Sequence, residues 1–220
     1  MGTFTATAGD DTTIGNVRRG STRWAVGTAN GAAQGAYTGG SIDYSLVGTM
    51  VFNGADTALV GKNVRKITLT ITSGAYGSEG TKTLTFCKAN YQYIPSGIDG
   101  YKQIGAKLGT LTGYFYDNTT THVLSSTSNA EFFNALTEYL KAGNKTLVLY
   151  NGETSSGPYS DNYAKIMSIT MMAEYMDGSQ SVAYQWDGST WVPMYAYQWN
   201  GSAWVPYNIA IHNGSSIEII

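Results

Sequence analysis

The end of this chain repeats itself, and the repeat limits what the chain can fold into. Tyr184-Gln185-Trp186-Asp187-Gly188-Ser189-Thr190-Trp191-Val192-Pro193 returns 13 positions later as Tyr197-Gln198-Trp199-Asn200-Gly201-Ser202-Ala203-Trp204-Val205-Pro206. A degenerate third copy keeps the offset, with His212, Asn213, Gly214, Ser215 and Ile217 in the places of Trp199, Asn200, Gly201, Ser202 and Trp204. Three copies of one short unit mark a repeat architecture. Asp-Gly and Asn-Gly between strand-like flanks are strong hairpin signals, because glycine and its partner tolerate the positive φ that tight turns require. The predicted turns are therefore Asp187-Gly188, Asn200-Gly201 and Asn213-Gly214. A two-residue turn would set Trp186 against Ser189, and a four-residue loop would set it against Trp191. Both registers leave Tyr184, Trp186, Trp191 and Pro193 on one side of the ribbon, since side chains alternate along a strand. Tyr197, Trp199, Trp204 and Pro206 are their counterparts in the second copy, and Ala210, His212, Ile217 and Ile219 in the third.

Such a ribbon cannot stand alone. An isolated two-stranded hairpin is marginal in water. Burying one tryptophan removes roughly 150 to 250 Å² of surface, on the order of 4 to 6 kcal/mol before entropy is counted. The tail holds four of the five tryptophans, so its aromatic side is expected to meet something: itself, the rest of the chain, or the same side of other copies. A homo-oligomer, most simply a trimer about a common axis, is the first expectation. The competing one is a row of sugar-stacking platforms.

The rest of the sequence also reads as β. Only 13% of residues are charged, against about a quarter in an average domain, while glycine reaches 27 and tyrosine 17. Ile67, Leu69 and Ile71 alternate with Thr68, Thr70 and Thr72. Leu46, Met50 and Phe52 share a parity, as do Leu84 and Phe86, Leu147 and Leu149, and Met167, Ile169, Met171, Ala173 and Tyr175. Turn dipeptides bound these runs: Asn53-Gly54, Ser73-Gly74, Gly143-Asn144, Asn151-Gly152 and Asp177-Gly178. Short strands with turns between them predict a jelly-roll-like antiparallel β-sandwich. One helix interrupts it. Ser128 and Glu131 have capping-box spacing, Phe132, Leu136, Tyr139 and Leu140 follow at helical spacing, and Gly143 can close the element. The expected organisation is an amino-terminal strand and flexible arm over 1–42, a sandwich over 43–178 and three hairpin repeats over 179–220. Within the arm, residues 20–41 read as a long surface loop; a second loop covers 152–162.

Several segments are similar to the sandwich modules of tail, fibre and other virion proteins from phages of Gram-positive bacteria. One runs from Asp43 to Lys88, with Leu59, Gly61-Lys62 and Val64 leading into Lys66-Ile67-Thr68-Leu69-Thr70-Ile71. Another runs from Ala135-Leu136 through Gly143-Asn144-Lys145-Thr146-Leu147-Val148-Leu149-Tyr150-Asn151-Gly152-Glu153. The repeats ending in Trp-Val-Pro resemble short hairpin repeats at the ends of such proteins. The resemblance implies a structural role in a virion (fibre, tail or head surface), with other virion proteins and a host-surface glycan as partners. A lectin-like carbohydrate-binding module is the alternative reading, and a polysaccharide depolymerase the remote one.

Catalytic chemistry finds little footing. The two histidines, His122 and His212, sit in no nucleophile motif and lack a second histidine at metal-ligand spacing. His122 reads as exposed in the loop around Thr119–Thr121, and His212 as packing at the end of the repeat. Glu153 and Asp161 flank the second loop and are the best candidates for a glycosidase pair, although a solvated pair explains them more simply. Asp10-Asp11 would suit calcium in ligand type but not in spacing. The lone Cys87 reads as a small buried apolar residue. No enzyme activity, cofactor or metal is expected. A net charge of −2 with one small cluster, Arg18, Arg19 and Arg23, argues against nucleic acid. No apolar run approaches a membrane span and no signal peptide is evident, so synthesis in the host cytoplasm and incorporation into a virion are expected.

Overall fold

The computed structural model describes residues 1–10, 12–19, 31–39, 42–94, 104–152 and 162–176, and in the tail 182–186, 188–195, 197–199, 201–202, 204–206, 210–212 and 217–219. The fold is all-β and antiparallel. Ten strands form one continuous sheet: β1 (Gly2–Ala8), β2 (Ile14–Arg19), β3 (Ala32–Gly39), β4 (Ile42–Val51), β5 (Asn63–Gly77), β6 (Thr81–Ala89), β7 (Ile104–Tyr114), β8 (Thr119–Ser125), β9 (Thr146–Leu149) and β10 (Asn162–Met176). The described helices are a single turn, α1 (Ala55–Ala58), and α2 (Ala130–Lys141). β1, β2 and β3 belong to the same sheet as β10. Gly31–Ala36 is buried, not a surface loop. Alanine and glycine there suit a crowded interior strand, a use that composition alone does not distinguish from a loop.

The sheet curves because β4 is shared. Ser45 and Leu46 pair with β2 and with β3, while Gly48, Thr49 and Met50 pair with β2 and with β9. A strand has two edges, so β2 occupies one edge throughout, and β3 and β9 divide the other. The sheet forks there. One limb runs β9-β6-β7 and the other β3-β10-β5-β8. The far strands β7 and β8 approach one another without pairing, and α2 packs across β5, β7 and β8. The result is one nearly barrel-shaped sheet in place of two separate facing sheets. β10 is divided in the same way: β5 holds one edge, while β3 and then β1 hold the other.

Alternation sends one set of side chains inward. Phe52, Ile67, Leu69, Ile71, Leu84, Phe86, Phe115, Leu124 and Leu136 are fully buried together. The outward set on four adjacent strands is mostly threonine. Thr7, Thr170, Thr70 and Thr121 stand in one cross-strand row, and hydroxyl pairs join Thr7 to Thr170 at 2.9 Å and Thr72 to Thr119 at 3.1 Å. β-Branched residues suit a pleated, half-exposed face, which accounts for the Ile-Thr alternation of β5.

α2 buries Phe132, Phe133, Leu136, Tyr139 and Leu140. Phe132 lies 5.1 Å from the Phe86 ring, over Gly109 of β7, where an added Cβ would fall 2.2 Å from Phe132 Cγ. The Tyr139 hydroxyl accepts the Ala89 N–H at 3.0 Å and faces the carbonyls of Ala89 and Thr146 at 3.0 and 2.9 Å, tying the helix to β6 and β9. The predicted capping box does not form. Ser128 Oγ donates back to the Val123 carbonyl, and the helix starts after a left-handed Asn129 that makes no side-chain cap. Gly143 does close it, at φ +82°. Ser73-Gly74 is not a turn. Both lie within β5, where Ser73 Oγ donates to the Asn118 side chain and backbone. Asn53-Gly54 leads into α1, a single turn too short to show helical periodicity in the sequence.

Candidate functional site

The tail forms three self-paired hairpins, each a separate two-stranded sheet: β11 (Val182–Trp186) with β12 (Trp191–Tyr195), β13 (Tyr197–Trp199) with β14 (Trp204–Pro206), and β15 (Ala210–His212) with β16 (Ile217–Ile219). Their registers match. Trp186 stands opposite Trp191, Trp199 opposite Trp204, and His212 opposite Ile217; Tyr184 and Tyr197 stand opposite Pro193 and Pro206. All three loops thus span four residues, which decides between the two registers the sequence allows. Gly188 and Gly201 take φ +103° and +100°. Asp187, Asn200, Asn213 and Gly214 lie outside the described residues. Ser189, Thr190 and Ser202 are exposed at the loops, and Trp199 is 52% exposed.

A second feature lies in the body, in the notch between the two limbs. β6 pairs with β9 from Phe86 to Lys88, and the Thr85 carbonyl still accepts the Tyr150 N–H at 3.0 Å, but the ladder leaves the Thr85 N–H and the Thr83 carbonyl on that edge without a strand partner. Gln34, a buried residue of β3, fills that place: its Nε2 donates to the Thr83 carbonyl at 2.9 Å and its Oε1 accepts the Thr85 N–H at 2.6 Å. The carboxamide substitutes for a missing strand, satisfying groups that would otherwise be stranded. Above it, Lys82 Nζ donates to Asn162 Oδ1 at 2.6 Å across the notch. Gln34, Thr81, Lys82, Thr83, Asn162 and Tyr163 line an open cleft of about 340 Å³. Tyr163 meets Tyr37 edge-on, with centroids 5.9 Å apart and an interplanar angle of 87°.

Two glycines hold the start of β10 beside this cleft. Gly35 and Gly77 press on the start of β10 from either side, and a Cβ at Gly35 would lie 2.2 Å from the Asn162 carbonyl oxygen and one at Gly77 2.3 Å from that of Tyr163. Both take positive φ, +124° and +103°. The sequence places a loop signal over 152–162, next to this cleft, but nothing in it singles out Gln34 or Lys82. Their roles depend on where β9 stops.

The other candidates separate. His122 is not in a loop. It lies on β8 opposite Leu69, half-buried, with its ring 5.9 Å from Phe115 and its Nε2 3.2 Å from Thr120 Oγ1, and burial lowers its pKa. Alternation from Thr120 through Leu124 turns it inward. Asp10 holds a turn by accepting from Thr12 and Thr13, and these bonds lower its carboxyl pKa; Asp11 lies outside the described residues. Among the described residues no group of three or more histidine, cysteine or carboxylate side chains is placed to hold a metal ion. Cys87 is buried and its thiol is pushed up in pKa by that burial. Arg18 and Arg19 lie on β2, opposite Leu46 and Ser45. Arg23, Glu153 and Asp161 lie outside the described residues. No described helix is long and apolar enough to cross a membrane. No family model matches the chain, and no curated protein is significantly similar to it.

Proposed function

We propose that this chain is a non-enzymatic structural component of a phage particle, in which the all-β body presents a surface and the hairpin tail joins it to further copies, most simply as a trimer. The observation that carries the reading is the shared register of the three hairpins. Each sets its bulkiest residues opposite one another at the same place, and among the described residues each hairpin's strands pair with each other and not with the body. β13 to β16 are three residues long, too short for ladder bonds to hold them alone, and cross-strand aromatic pairs add only about 0.2 to 1 kcal/mol each. Trp199 is left half-exposed in the single chain. Covering such residues against a second and third copy would supply the missing burial. The sequence resemblance supplies the particle; the repeat supplies the contact.

Measuring mass in solution by sedimentation or light scattering tests the contact. The full chain is expected to run as an oligomer and a chain lacking residues 181–220 as a monomer. An unchanged oligomeric state on truncation would overturn the assignment.

A further inference from the structure

We propose that the notch cleft between β6 and the β3-β10 limb binds an anionic saccharide unit, a uronic acid or a sugar phosphate. The site is independent of the tail and of the role proposed for it. Its size, about 340 Å³, is at the small end of ligand pockets and suits one or two sugar rings better than a peptide or a nucleic-acid strand. Its chemistry is that of a hydroxyl-rich ligand. Asn162 offers a carboxamide, and Thr81 and Thr83 offer hydroxyls that both donate and accept. Tyr163, braced by Tyr37, supplies an aromatic face of the kind on which the apolar side of a pyranose stacks.

The charge requirement comes from Lys82. Its ammonium is held by Asn162, and none of the described residues lining the cleft carries a carboxylate. Lys66, Lys141 and Lys145 pair with acids, Glu174, Glu138 and Asp56 respectively, whereas the partner of Lys82 is an amide oxygen. Lys82 is thus a positioned cation whose present partner is neutral. An anionic group entering the cleft would exchange this ion–dipole bond for one in which donor and acceptor are both charged. The wall is already ordered. Gln34 is fixed by two backbone bonds and the start of β10 by Gly35 and Gly77, so binding orders little that is not ordered already.

Saturation-transfer NMR on the full chain, titrated separately with glucuronate, glucose 1-phosphate, glucose and inorganic phosphate, tests this. One or both anionic sugars should bind at least about tenfold more tightly than glucose and than inorganic phosphate. Preference for glucuronate would identify a uronic acid as the natural group, and preference for glucose 1-phosphate a sugar phosphate. Lys82→Gln should bring the anionic sugars down to the affinity of glucose, while Lys82→Arg, which keeps the charge, should restore binding to within a few-fold. The proposal is overturned if no sugar saturates the protein, if inorganic phosphate binds as well as the sugars, or if Lys82→Gln binds like the wild type.

Discussion

His122 closes a seam. β7 and β8 meet there without ladder bonds, and the imidazole lies against Phe115 of the connecting turn, near Gly113 of β7. Burial disfavours the imidazolium, so the folded pKa lies below the ordinary 6.5. Above that value both folded and unfolded chains carry a neutral ring and the group makes no difference. As pH falls through 6.5 the unfolded chain takes up a proton that the folded one resists, and stability is lost until the folded ring is protonated too. Asp10 acts in the same direction in a lower window, starting only below 3.8. The melting temperature is therefore expected to begin falling near pH 6.5, and His122→Phe should remove that first decline while leaving the more acidic one. A wild-type melting temperature that is flat between neutrality and pH 4.5 would contradict the placement of the ring.

At the scale of elements, the hairpin turns and the notch use glycine for different reasons. At Gly188 and Gly201 a Cβ would meet nothing within 4 Å, so the positive φ alone constrains the residue. At Gly35 backbone atoms also fill the space. Gly188→Val and Gly201→Val should each cost on the order of 1 to 3 kcal/mol of backbone strain, confined to the tail. Tryptophan fluorescence, dominated by the tail, should report a lowered transition while the circular dichroism of the body melts where it did before. Unmoved fluorescence would mean that the turns are misplaced. How much of this was legible follows the same division. Local patterns were readable: the 13-residue register, the outward threonines of β5, the helical face from Phe132 to Leu140. Elements defined by distant neighbours were not. β3 has no alternation to read because alanine and glycine line it, β8 looked like a loop because threonine occupies its outer positions, and the capping box failed because Ser128 found Val123 nearer. The notch was illegible for the same reason, since Gln34 matters only because β9 ends at Leu149.

For the molecule as a whole, the single cysteine offers a report on the body alone. Cys87 lies on β6 beside Val47 and Val148, 5% exposed, and its thiol is held in the unreactive protonated form by burial. Alkylation requires the body to open, so its rate in native buffer should stay within about twofold when residues 181–220 are deleted. A much faster reaction in the truncated chain would show that the tail braces the body. The forked sheet carries a consequence in time as well. Gly2 is paired with Tyr175 and Ala8 with Ile169, so during synthesis β1 waits for β10, about 160 residues later in the chain, before its edge is covered. At about 5 to 20 residues per second that wait is on the order of ten seconds or more. Contacts so distant along the chain also make the search for them slow, in the millisecond-to-second range once all strands are present. During synthesis, a threonine-bearing β1 with little apolar surface is a strand that can wait in water without finding the wrong partner.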